Sequence, residues 1–171
     1  MNETDLETLY SRLEKPLYNV VYRWVWDREE ARDLVQEAFA RLWRMRRRVE
    51  TKTVEPLVYR IALNLARSRA RHRKVWRFVT FESLPDRLPD PRNQESDLAV
   101  SQEQARVRDA VLALPEKLRQ VIMLCAFTDL PYDRIARILS IPEGTVGSRR
   151  NRALKRLREM LSGARRAERA G

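Results

Sequence analysis

"YDRIARILSIPEGTVGSRRNRALKRL", Tyr132–Leu157, decides how this chain folds. Ile135, Ala136 and Leu139 recur at helical spacing, the pattern breaks at Ser140–Pro142, and Val146 resumes it on the same side. Ala136 is small, as two closely crossing helices require. This is the layout of a helix-turn-helix. Its second half holds Gly144 and Gly147, two of the chain's four glycines, together with Arg149, Arg150, Arg152, Lys155 and Arg156. Glycine costs a helix interior up to about 1 kcal/mol relative to alanine, and clustered positive charge repels itself. Both features make sense together if an anion lies against the segment. Backbone can then approach it closely, and the helix N-terminus favours phosphate. A second helix of this kind offers its N-terminal part to base edges in the major groove and its flanks to phosphates. Thr145, Ser148, Arg149, Asn151, Arg152 and Lys155 form that candidate set. The competing reading is a solvated basic amphipathic helix.

The bulk charge agrees with nucleic acid. The 171 residues carry 35 Lys and Arg against 24 Asp and Glu, a net +11. Residues 1–75 hold 17 basic and 11 acidic groups, 76–114 hold 5 and 7, and 115–171 hold 13 and 6. Two basic blocks therefore flank a slightly acidic middle. One cysteine, Cys125, excludes an internal disulfide framework, and with one histidine it makes a protein-built zinc site improbable. No apolar run reaches transmembrane length, and no signal pattern opens the chain. A reducing cytoplasm is the expected setting. No metal, cofactor or small-molecule substrate is expected, and no nucleophile–base pair or carboxylate cluster suggests an enzyme.

Working outward, the rest of the chain also reads as helix. Thr4 with Glu7 offers a capping box, and Leu6, Leu9, Tyr10 and Leu13 lead to Pro16, where a kink or restart is expected. Leu17, Val20, Val21, Trp24 and Val25 continue an apolar face. Asp27 caps a second helix with buried-type residues Leu34, Val35, Ala38, Phe39, Leu42 and Trp43. Asp33, Gln36 and Glu37 lie opposite. After the polar connector Arg46–Glu55, Pro56 suits the first turn of a third helix running to about Lys74. Leu57, Val58, Ile61, Ala62 and Leu65 form its inner face; Arg60, Asn64, Arg67, Arg71 and Lys74 line its outer stripe. Residues 76–100, with "SLPDRLPDPRNQESD", read as a linker. Ser101 with Gln104 opens another helix, and Pro115 starts the next, with Leu118, Val121, Ile122, Leu124 and Cys125 apolar. The fold class is all-α: two small helical domains, 1–75 and 101–162, joined by a flexible linker. The second contains the helix-turn-helix, and 163–171 is a frayed basic tail.

"LPEKLRQVIMLCAFTDLPYDRIARILSIPEGTVGSRRNRALKRLREML" resembles the C-terminal domain of extracytoplasmic-function sigma factors of the sigma-70 family. "DREEARDLVQEAFARLWR" and "LVYRIALNLARSRARHRK" resemble their N-terminal conserved domain, in the family's order. The resemblance implies a subunit that binds core RNA polymerase through the beta-prime clamp helices and beta flap, directs it to promoter DNA and starts transcription. It makes Asp33, Gln36 and Glu37 polymerase contacts. It makes Asn64 part of a pocket for an extruded base of the minus-ten element, with Arg60, Arg67 and Arg71 as phosphate anchors and Arg48–Glu55 as the specificity loop. Capture of an unstacked base does need a pocket and such anchors. The Thr145–Lys155 set would then read the minus-thirty-five element. Three departures stand out. Gly147 occupies a position that is often basic, Arg150 one that is often apolar, and the loop lacks an aromatic. About five residues precede the first helical pattern and nothing of domain size follows Leu161, so restraint of a free copy falls to a partner. The resemblance suggests an anti-sigma factor. A helix-turn-helix regulator acting without polymerase is the alternative. It would need neither the Asp33 face nor the separate basic third helix.

Overall fold

The computed structural model describes residues 2–50, 53–79 and 96–169, with side chains described for 2–50, 53–72 and 102–162. Seven helices and no strand occur among them: α1 Glu3–Val25, α2 Arg28–Arg44, α3 Val54–Val79, α4 Ser96–Ala113, α5 Glu116–Phe127, α6 Tyr132–Leu139 and α7 Glu143–Arg169.

Helix α1 starts earlier than Thr4. The Asn2 side chain accepts from the Asp5 N–H at 2.7 Å, and the Asp5 carboxylate accepts from the Asn2 N–H at 2.8 Å. This reciprocal box satisfies donors that a helix start otherwise leaves orphaned. Nor does Pro16 interrupt the helix, which is continuous through it. Proline costs a helix interior about 3 kcal/mol, but Leu13, Leu17, Val20 and Val21 around it are all buried. At roughly 1.5–3 kcal/mol for each large apolar side chain buried, packing outweighs the lost hydrogen bond. Helix α2 begins as expected, with the Asp27 carboxylate accepting from the Glu30 N–H at 3.0 Å.

Leu34, Val35, Ala38, Phe39 and Leu42 of α2 are buried against α1 and α3, while Trp43 is half-buried. On α3 the buried residues are Val58, Tyr59, Ala62, Leu63 and Ala66; Leu57, Ile61 and Leu65 are only partly covered. The inner face is thus rotated from the expected one, because α3 packs on α1 and α2 and also meets α6. Helix α3 continues past Lys74 to Val79, and α4 begins at Ser96, which makes Ser101 an interior residue rather than a cap. The proline-rich part of the expected linker, 80–95, lies outside the described residues. So do the side chains of Lys74 and Trp76. The expected frayed tail is helical as far as Arg169.

Helices α5, α6 and α7 bury Leu118, Val121, Ile122, Met123, Leu124, Ile135, Ala136, Ile138, Val146 and Ala153. The turn between α6 and α7 depends on Ser140, which takes the left-handed conformation (φ 53°, ψ 50°). The Ser140 and Ile141 N–H groups both donate to the Ala136 carbonyl, which closes the helix. The two helical units share one continuous apolar cluster, with α1 packed on α5 and α3 on α6.

Candidate functional site

The recognition-type helix is fastened by its inner side. Val146 and Ala153 are fully buried, whereas Ser148, Asn151, Arg152 and Lys155 are exposed and Thr145 and Arg149 half-buried. All six expected residues therefore ride on one helix whose apolar seam faces α5 and α6. The Ser148 hydroxyl donates to the Thr145 carbonyl at 3.1 Å. Neither glycine is required inside the protein. A Cβ on Gly144 would meet nothing within 4 Å, and one on Gly147 would touch the Tyr132 ring at an ordinary 3.6 Å. Both sit in helix with negative φ.

On α2, Asp33 and Gln36 are exposed and Glu37 is half-buried. Glu37 is held within its own helix, accepting from Arg41 Nε at 2.7 Å with Arg44 3.9 Å away. The Arg41 hydrogen bond keeps the Glu37 pKa below its ordinary value. The carboxylate therefore stays charged at neutral pH.

The α3 stripe is arranged differently. Asn64 is exposed and accepts from Arg67 Nη1 at 3.2 Å, and Arg71 is exposed one to two turns further on. Arg60 reaches across to the other helical unit. Its Nε donates to the Ile138 carbonyl at 3.2 Å, and its Nη2 donates to the Arg137 carbonyl and the Ser140 hydroxyl, both at 2.9 Å. These carbonyls belong to the last turn of α6, which lacks partners in its own helix and carries the negative end of its dipole. Arg67 makes an ion pair with Glu116 at the start of α5. Glu55, at the end of the expected specificity loop, accepts from Arg12 at 3.0 Å and from Arg134 of α6 at 3.3 Å. Within the loop, residues 51 and 52 are outside the described residues.

Glu55, Glu116, Arg134 and Ser140 thus hold the two units together, and sequence reasoning did not single them out. Their partners stand 49 to 80 residues away in the chain, beyond any helical periodicity. The lone cysteine is half-buried on α5, and burial pushes its thiol pKa up while Arg150 pulls it down. His72 places Nδ1 2.9 Å from the Ser68 carbonyl, one helical turn back. Among the described residues, no group of three or more His, Cys, Asp or Glu is placed to hold a metal ion, and no helix is long and apolar enough to cross a membrane.

Helices without sheet, a basic helix-turn-helix on one unit and a polar-faced three-helix unit beside it define a bipartite helical DNA-binding type of protein. Residues 9–75 match Sigma-70 region 2, and residues 104–157 match the Sigma-70 region 4 family. The SigW sigma factor of Bacillus subtilis is 31% identical over 159 residues, covering 85% of this chain and 82% of that protein. The SigE sigma factor of Mycolicibacterium smegmatis is 33% identical over 151 residues. That match covers 85% of this chain, which spans 57% of that relative's length. Two solved structures share the fold at 21% identity: CnrH in complex with the cytosolic domain of CnrY (TM-score 0.71, covering 95% of this chain and 90% of that one) and the sigma factor RpoE of Bartonella quintana with the anti-sigma factor NepR (TM-score 0.66, 92% and 97%). The chain belongs to the extracytoplasmic-function sigma factors of the sigma-70 family.

Proposed function

We propose that the chain acts in the cytoplasm as the promoter-recognition subunit of RNA polymerase. Asp33, Gln36 and Glu37 dock on the clamp helices of core polymerase. Asn64 helps seat the extruded minus-ten base, and Arg60, Arg67 and Arg71 hold the neighbouring phosphates. Thr145, Ser148, Arg149, Asn151, Arg152 and Lys155 read the minus-thirty-five element. The observation that carries this reading is the outward face of α7: Val146 and Ala153 anchor the helix while Ser148, Asn151, Arg152 and Lys155 stay open to a duplex. Gly144 and Gly147, which internal packing does not demand, leave room for a DNA backbone beside that face. The test is in vitro transcription with purified core polymerase and start sites mapped across the source genome. A shared promoter motif appearing only when this protein is added supports the reading. Specific duplex binding without any effect on polymerase would favour a stand-alone regulator instead.

Two relatives of the same fold were solved with protein partners, one of them an anti-sigma factor. This supports an inhibitory partner here as well, one that covers Asp33, Gln36 and Glu37 or the Arg149–Arg152 face. Affinity purification from uninduced cells tests it. Recovery with polymerase alone, without a second stoichiometric binder, would count against such a partner.

A further inference from the structure

We propose that the free protein is self-latched: Arg60, clasping the last turn of α6, and Arg67, paired with Glu116, hold the two helical units closed, and promoter DNA must win both arginines from these partners before α3 can engage it. The proposal rests on the reading of α3 as a DNA-binding face.

Three contacts converge on this seam. Arg60 makes three hydrogen bonds to the α6 end at 2.9–3.2 Å. A guanidinium there completes a helix C-terminus that has no side-chain cap of its own and sits at the negative pole of its dipole. Arg67 pairs with Glu116, and Glu55 bridges Arg12 and Arg134. Each pair includes a group on α3 and a group on α5 or α6. Outside the seam, the exposed residues of α7 are not involved. The latch therefore withholds the α3 face and leaves the helix-turn-helix available. A phosphate would offer the arginines the same fork of acceptors that the α6 carbonyls and the Glu116 carboxylate offer, so the two states exclude each other. The chain between Val79 and Ser96 can reach roughly 50 Å when extended, at about 3.3 Å per residue, which permits separation.

The experiment uses the full chain with a donor and an acceptor dye on Ser68→Cys and Lys117→Cys, in a Cys125→Ala background. These positions neighbour the Arg67–Glu116 pair. The latch variant combines Glu116→Gln, Arg134→Gln and Ser140→Ala, which leaves the net charge unchanged, so any gain in DNA binding is not bulk attraction. Circular dichroism confirms that it is folded. Energy transfer should be high in the parent and fall in the latch variant. Single-stranded DNA with the non-template minus-ten sequence should lower transfer in the parent and bind the variant more tightly. The gain is roughly tenfold if the closed form makes up about nine-tenths of the free protein. Transfer that stays high in the folded variant overturns the latch. So does transfer that is low in the parent before DNA is added. A fall in transfer with unchanged DNA affinity supports the latch but removes the α3 arginines from DNA, which is a failure of the functional reading.

Discussion

The Arg119 guanidinium lies over the Trp24 ring, 5.0 Å from its centre, and joins α5 to α1 across the two helical units. The same group donates to the Leu112 and Leu114 carbonyls at the end of α4, so one side chain stacks on an aromatic and caps a helix. Burial lowers its pKa without discharging it. Arg119→Ala should lower stability by about 1–3 kcal/mol, the range for charged hydrogen bonds. Arg119→Lys should recover only part, since an ammonium lacks the planar fork. Urea unfolding measures both. A variant as stable as the parent would show the stack to be incidental.

Leu42 is fully buried between α1, α2 and α3. Truncation to alanine removes apolar contact and leaves a cavity, and Leu42→Ala should cost about 2–5 kcal/mol. The midpoint of thermal unfolding reads this directly. A shift too small to resolve would place Leu42 outside the packed core.

Asn64 is exposed on α3 and bonded only through Arg67 in its own helix. Asn64→Ala should therefore leave stability and polymerase binding unchanged while slowing promoter opening. Permanganate footprinting of the minus-ten region is the measurement. Equal reactivity with mutant and parent would remove Asn64 from the site.

Arg152 is exposed on α7, whereas Arg149 is half-buried, so Arg152→Ala is the cleaner probe. It should weaken the minus-thirty-five contact by about 1–3 kcal/mol if the lost contact is bidentate to guanine. Promoter variants at that element that respond identically with both proteins would restrict Arg152 to phosphate.

Burial raises the Cys125 pKa, and the Arg150 charge opposes the shift. Because only the thiolate alkylates, the reaction with iodoacetamide should be slow at neutral pH. Its rise should come above the ordinary thiol range. Arg150→Ala removes the opposing charge and should move the inflection higher still. An inflection below the ordinary thiol value would reveal an activated cysteine.

The fold class was legible in local pattern alone. The apolar stripe of α2, the Asp27 cap, the turn at Ser140–Pro142 and the inward Val146 all rest on neighbours within a few residues. The helical repeat encodes such neighbours. The helix ends at Asn2, Val79 and Ser96 were read less well, because competing caps and continued helix differ by only about 1 kcal/mol each. The same limit applied to Pro16, whose effect depended on how deeply its neighbours are buried. The candidate residues of α2, α3 and α7 came from periodicity and family likeness, and their positions on those helices follow from the 3.6-residue repeat. What they face was decided only by tertiary structure. Arg60 reads as an outward basic residue on any helical wheel, yet it ends on the carbonyls of Arg137 and Ile138, 77 and 78 residues away. A helix places a side chain on a face. Only the packing of two units determines which unsatisfied carbonyls or carboxylates that face will meet.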